Sequence, residues 1–439
     1  MTTVTSEATA EQPAEPLVGH RRARLNSLLN YTRYTDPLAM FLWVFSTVFG
    51  YPILAPIRYL IAGYFVTMLI LFGRQTAPQM GRSWPLFLLP VMCIISALWA
   101  PVPPDTLRKG IGLLLTGLVA IYAATRLSGR QILIAYFAAE SIAAVLSFAM
   151  PARDPTGAWI GIFTQKNFFA IQMFILYAAA IGIILDNGNK RPLRLFAIAM
   201  AALAGYEIFM AKSGTTTVMF IVVTALMLAH AFFWGPIGKI RHARLVFVMF
   251  LSVVALAAAF VVLGILQLDL KEELLTALGK DSTLTGRTYL WEIAQRIMAE
   301  RPLTGMGGEG FWRPEFGQAN SIVQYFDYER FTGFSFHNSY YENGVNYGYP
   351  GFYATIFLAT WGVVSTALTW LRNQTIVNAT FLVFACAIVL RTNSEIDLCG
   401  EFSGTAVILF IAASRKEFTR KRTEPASQID PRTTPQAAI

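Results

Sequence analysis

Charge is scarce in this chain. Only 14% of its 439 residues are Asp, Glu, Lys or Arg, 55% are hydrophobic, and mean hydropathy is +0.50. A soluble domain carries about a quarter charged residues, so the deficit makes lipid the solvent. Cysteine is scarce too: Cys93, Cys386 and Cys399 cannot build a disulfide framework. Cys93 and Cys386 lie in apolar runs and read as packing residues, whereas Cys399 falls near an expected surface, where a reactive thiol is a second reading. The four histidines are scattered and none lies near a cysteine pair, so no metal-ligand spacing exists. No internal repeat is visible. The N-terminal segment lacks a short apolar stretch with a small-residue cleavage site, which excludes a cleavable signal peptide.

What is abundant is apolar runs of about 17–25 residues, the length of a transmembrane helix. They predict an all-α, polytopic membrane bundle of about twelve spans, at 38–55, 56–73, 84–100, 108–125, 131–150, 168–185, 192–211, 214–234, 244–267, 350–371, 375–391 and 397–414. The expected organisation is a cytoplasmic N-terminal tail (1–36), spans 1–9 (37–267), one large periplasmic loop with short helices (268–349), spans 10–12 (350–414) and a basic cytoplasmic tail (415–439). With the N-terminus inside, the inner connections and tails hold 21 Lys/Arg. The short outer connections hold 7: Arg58, Arg108, Lys109, Arg153, Lys166, Lys212 and Arg391. This is the positive-inside pattern. The net charge of +9 therefore reports topology and not a nucleic-acid partner. The large loop itself holds 7 Lys/Arg against 11 Asp/Glu.

A polytopic chain with one large loop is expected to work there. Lys166 and Lys212 fall at outer helix ends, and Lys212 sits in a tight turn between two apolar runs. Its head either snorkels to the interface or meets an anion. Arg287 opens a predicted helix over 287–299, with Leu290, Ile293, Ala294 and Ile297 on one stripe and Pro302 ending the pattern. A first-turn cation opposes the helix dipole unless an anion sits there, so Arg287 is either a surface arginine or an anion contact. His337 is the one histidine outside the inner-facing regions, and it reads as a structural cap or as a general base. Gly305 to Gly310 is not a phosphate loop, because no Gly-Lys-Ser/Thr follows. These glycines permit a tight turn or a close approach to a ligand. The loop aromatics, Trp312 and Phe336 among them, suit the membrane interface or stacking on sugars. Glu309, Glu342, Glu395 and Asp397 lie on the same side, and spacing does not choose which of them supports the histidine.

Taken in order, Gly161-Ile-Phe-Thr-Gln-Lys166-Asn167, Thr283-Leu-Thr-Gly-Arg287-Thr288, Gly305 to Trp312 and His337-Asn-Ser-Tyr-Tyr-Glu342 resemble the O-antigen ligase and polysaccharide polymerase superfamily. The pattern is most similar to its ExoQ-type exopolysaccharide polymerase branch, over about residues 30–414. The resemblance implies a glycosyltransferase of the bacterial inner membrane. It would join polyprenyl-diphosphate-linked oligosaccharide repeat units at the periplasmic face, without metal or cofactor. It further implies His337 as the base and Arg287, Lys212 and Lys166 as diphosphate contacts, with Asn338, Tyr341, Glu309 and Glu342 supporting them or the acceptor. Family members commonly carry arginine where Lys212 stands, and lysine keeps the charge but loses the bidentate fork. The implied partners are the lipid-linked donor, a glycan acceptor, the bilayer, a chain-length regulator and a flippase. The alternatives are a ligase acting on lipid A-core or another acceptor, and a non-catalytic glycan or lipid transporter, which would need charges deep in the spans.

Overall fold

The computed structural model describes residues 17–49, 51–237, 242, 286–326 and 334–415. Among these residues the fold is helical, with no β-strand beyond a single bridge between Arg153 and Trp159. The helices are α1 (Leu17–Phe49), α2 (Ala55–Leu71), α3 (Gly73–Arg82), α4 (Leu88–Ser96), α5 (Pro103–Arg126), α6 (Gly129–Ala149), α7 (Lys166–Leu185), α8 (Arg191–Met210), α9 (Gly214–Ile237), α10 (Arg287–Glu300), α11 (Gly317–Tyr325), α12 (Ser339–Arg372), α13 (Ile376–Arg391) and α14 (Gly404–Ser414).

Seven stretches of described helix are long and apolar enough to cross a bilayer: Pro52–Leu71, Pro103–Arg126, Gly129–Ala149, Lys166–Leu185, Arg191–Met210, Gly214–Phe232 and Ser339–Arg372. Trp84–Ser96, Ile376–Arg391 and Gly404–Ser414 are apolar but shorter. The chain is a multi-pass membrane protein. Its helix ends follow local sequence more closely than hydropathy does. The polar 1–36 tail gives way to helix at Leu17, and α1 stops at Phe49 ahead of Pro52. The expected 84–100 span is reduced to a 3₁₀ turn and the short α4, and residues 397–403 of the expected last span are not helical. The expected span at 244–267 lies outside the described residues.

Caps fix several ends. Ser128 and Gln131 form a reciprocal capping box on α6, with Ser128 N donating to Gln131 Oε1 at 2.9 Å. Thr375 and Ser403 cap α13 and α14. In lipid, helices associate through close packing of small residues and interhelical polar contacts. α7 is the central helix, buried along most of its length against α6, α8, α9 and α13. A Cβ at Gly182 would lie 2.5 Å from Thr380 Oγ1, so a larger residue there would force the Thr380 side chain or the α7–α13 crossing to shift. Ionisable residues do not all gather at helix ends. Glu140 and Glu207 are fully buried in α6 and α8, and their carboxyl oxygens have no hydrogen-bond partner in the structure.

The described residues 286–326 and 334–348 form a separate packed layer. The 287–299 helix is present as α10, and Leu290, Ala294, Ile297 and Met298 face inward. They join Met306, Phe311, Ile322, Phe336 and Val345 in a second hydrophobic core. Trp312, expected at the membrane interface or against sugar, packs on this core, its ring 4.7 Å from Phe336 and 4.9 Å from Phe334. α12 kinks at Gly348 (φ 71°, ψ −165°), which separates a short membrane-proximal helix from the apolar part beginning near Pro350.

Candidate functional site

The short helix at the start of α12 positions His337. The Asn338 side chain accepts from Tyr340 N at 2.9 Å and Tyr341 N at 3.2 Å, which makes Asn338 the N-cap. The preceding turn is held from both sides. Phe336 N donates to Glu342 Oε2 at 2.9 Å, and Phe336 O accepts from Trp291 Nε1 at 3.0 Å. Trp312 Nε1 donates to Glu342 Oε1 at 3.1 Å. Ser339 N donates to Thr392 O at 2.9 Å and Asn338 Nδ2 to Asn393 O at 3.1 Å, tying the turn to the 392–403 loop. Under these constraints His337 is left-handed, with φ 49°. Non-glycine residues in this region carry strain of about 1–3 kcal/mol and persist where surrounding contacts over-determine them. Lys212 (φ 50°), Glu309 (φ 58°) and Phe402 (φ 56°) share the trait.

His337 Nδ1 is buried and lies 3.5 Å from Glu395 Oε2, an ion-pair distance rather than a directed hydrogen bond. This leaves Nε2 as the nitrogen able to act on a ligand. Glu395 Oε1 receives Arg287 Nη2 at 3.1 Å and Asn167 Nδ2 at 3.0 Å. One carboxylate thus joins the α10 N-terminus, the α7 N-terminus and the His337 turn. Burial pushes the Glu395 carboxyl up, but the His337 ring and the charges of Arg391 and Arg287 outweigh this and hold it below the usual carboxylate range. The anion at the α10 terminus, left open by the sequence, is supplied by the protein itself.

His337 and Glu395 open on a cavity of about 430 Å³. Arg391, Asp397 and Gln165 also line it, as do Arg58 and Gln172. Arg391 Nη1 donates to Asp397 Oδ1 at 2.5 Å, and Thr405 Oγ1 donates to the same oxygen at 3.0 Å. Burial pushes the Asp397 carboxyl up despite this pairing. The far wall is shaped by Phe402, whose ring lies edge-on to Trp43 at 5.4 Å and Tyr59 at 5.2 Å.

The other sequence-designated residues fall in three places. Lys166 and Lys212 bracket one turn, residues 154–158. Lys166 Nζ is 3.8 Å from Asp154 and 3.4 Å from Thr156 Oγ1. Lys212 is exposed, and a Cβ placed on Gly157 would lie 3.9 Å from its Nζ. Neither lysine lines the His337 cavity, although Asn167, next to Lys166, reaches Glu395. Tyr341 accepts from Gln295 Nε2 at 2.6 Å and stacks on Trp291, 6.0 Å between centroids. Its contacts lie within the loop core. Glu309 pairs with Lys109, whose charge, with those of Arg108 and Arg313, holds its carboxyl low against the opposing effect of burial.

The glycine-rich turn faces protein rather than a ligand. Met306 N and Gly307 N donate to Val345 O and Asn346 O at 2.8 and 2.9 Å, and Gly308 N donates to Ser96 Oγ at 3.0 Å. Cys399 is buried at 4% exposure, and burial pushes its thiol well up, which removes the reactive-thiol reading. Reasoning from sequence named Glu395 among several acids without choosing it, and gave Asn167, Arg391, Arg58 and Gln172 no role. Their meeting depends on contacts more than 100 residues apart, and the one signal available was a polar residue in an otherwise apolar helix.

Residues 199–356 match the profile of the O-antigen ligase family. Over 407 residues the chain is 27% identical to the exopolysaccharide production protein ExoQ of Rhizobium meliloti (strain 1021), covering 89% of each chain. The matched profile includes Lys212, Arg287 and His337, and stops short of Glu395. This multi-pass bundle thus matches the O-antigen ligase family profile over residues 199–356, and is similar along most of its length to an exopolysaccharide production protein.

Proposed function

We propose that this protein transfers a glycan from a polyprenyl diphosphate to an acceptor sugar hydroxyl, polymerising lipid-linked repeat units into exopolysaccharide. The observation that carries this reading is His337. Its backbone is strained, its Nδ1 is buried against Glu395, and the residue lines a cavity rich in polar side chains. A buried carboxylate beside one ring nitrogen stabilises the imidazolium that a base must become. His337 Nε2 accepts the proton of the acceptor hydroxyl as its oxygen bonds to the donor anomeric carbon. The bond from that carbon to the diphosphate oxygen breaks, and polyprenyl diphosphate departs with the electron pair. Attack opposite the leaving group inverts the anomeric centre. Cations stabilise the departing charge, and the family resemblance assigns Arg287, Lys212 and Lys166 to it, the two lysines bracketing the 154–158 turn outside the cavity. We place twelve crossings in the inner membrane, both termini in the cytoplasm and the His337 end in the periplasm, where a flippase would deliver donor and a chain-length regulator would meet product.

The family's description as O-antigen ligase favours a second reading, transfer of a finished glycan to lipid A-core. The test is purified protein in liposomes given the lipid-linked repeat unit alone. A ladder of products supports polymerisation. Product that forms only after lipid A-core is added supports ligation, and no glycosidic product in either case overturns both.

A further inference from the structure

Of the two arginines lining the His337 cavity, Arg391 is matched by Asp397 but Arg58 is not. Arg58 Nη1 donates to the backbone carbonyl of Ser46 at 3.0 Å, and no carboxylate pairs with it among the described residues. The outer end of α2 is otherwise apolar, so a guanidinium turned inward to a cavity is not explained by helix packing. A second residue behaves the same way. Gln172 lies on the largely buried α7, is 3% exposed and lines this cavity, yet its amide has no hydrogen-bond partner among the described residues. Its amide therefore offers unused donor and acceptor capacity to the cavity. Its neighbours Ile171 and Met173 are fully buried apolar residues, and an apolar side chain would serve packing equally well.

We infer that Arg58 and Gln172 form an oxyanion-binding subsite in the cavity beside His337. Arg58 supplies charge-assisted donors and Gln172 an amide donor. The oxyanion is either the diphosphate of the lipid donor or a carboxylate carried on its glycan. This rests on the transfer reading for the ligand's identity, but not for its charge.

The test is binding rather than turnover, using full-length protein in nanodiscs. Three probes are titrated: farnesyl diphosphate, a glucuronate-containing disaccharide and its neutral glucose counterpart. Arg58→Gln should weaken the anionic probe about tenfold or more, with Arg58→Lys within about threefold of wild type. Gln172→Met, which keeps volume, should weaken the same probe several-fold without lowering the unfolding temperature. It is the second variant in case Arg58→Gln fails to fold. Loss confined to farnesyl diphosphate identifies the diphosphate, and loss confined to the glucuronate disaccharide identifies the glycan carboxylate. Unchanged affinity for both in both variants overturns the subsite, as does wild-type protein that binds neither. If the Arg58 variants lose probe while His337→Ala still makes polymer, the subsite stands and the transfer mechanism falls.

Discussion

Replacing Glu395 by Gln keeps the shape of the side chain and removes one charge from the meeting point of three segments. Glu395 Oε2 is 3.5 Å from His337 Nδ1, and both side chains are mostly buried, at 13% and 28% exposure. At an effective dielectric near 20, two unit charges at this separation interact by about 5 kcal/mol. Solvent at the cavity mouth and the neighbouring Arg287 and Arg391 charges reduce that share, so about half is a reasonable expectation for the imidazolium formed during proton transfer. This corresponds to a loss in kcat of about 100-fold. Because Glu395 orients the base without touching the reacting atoms, its loss should leave donor KM within a few-fold. The assay is initial-rate glycan formation in liposomes across pH, for wild type, Glu395→Gln and Glu395→Asp. A kcat equal to wild type in Glu395→Gln, or a loss carried by donor KM instead of kcat, would refute the coupling between carboxylate and base.

Acid should act on the same carboxylate. Its folded value lies below the ordinary 4.5, so its pairing contributes stability in full above about pH 4.5 and loses it as pH falls through the lowered value; wild type should lose more stability than Glu395→Gln below pH 4.5 in thermal unfolding. Gly305→Ala should destabilise by about 2–4 kcal/mol, because φ is +60° and the new Cβ would meet Val345 O at 2.5 Å, backbone that cannot yield; a wild-type unfolding temperature would contradict this. Glu342→Ala strands the Phe336 amide and the Trp312 indole, at about 2–4 kcal/mol for two lost partners, and should lower both unfolding temperature and kcat. Cys93 and Cys399 are buried, so a maleimide should label them only after denaturation, and rapid labelling of Cys399 in folded protein would contradict its placement.

Local pattern carried the elements well. The 3.6-residue stripe of Leu290, Ala294 and Ile297 produced α10 where it was expected, and apolar runs marked the long helices. Boundaries were less legible, since Pro52, Ser403 and the Gly348 kink act through caps and backbone geometry that a hydropathy window averages away. Within the site, Arg287 was visible as the cation opening a predicted helix and His337 as the one histidine outside the inner-facing regions, and the structure brings both to Glu395. The choice of Glu395 over Glu309 or Glu342 was not legible. Glu309 is taken by Lys109 and Glu342 by Phe336 and Trp312, contacts that only the packed chain reveals. The joint use of Lys166, Lys212 and Arg287 comes from the family resemblance, and the lysines occupy a turn of their own. The loop aromatics were legible as apolar but not as a core, because a separate folded layer has the same composition as an interfacial belt.

The most direct measurement of the proposed chemistry is the single-turnover rate of glycosidic bond formation in liposomes for wild type and His337→Ala, at matched protein level and unfolding temperature. A general base contributes 10²- to 10⁴-fold, so the variant should lose at least about a hundredfold in rate while still binding farnesyl diphosphate. A variant that forms the bond at the wild-type rate would contradict the assignment of His337 and with it the mechanism.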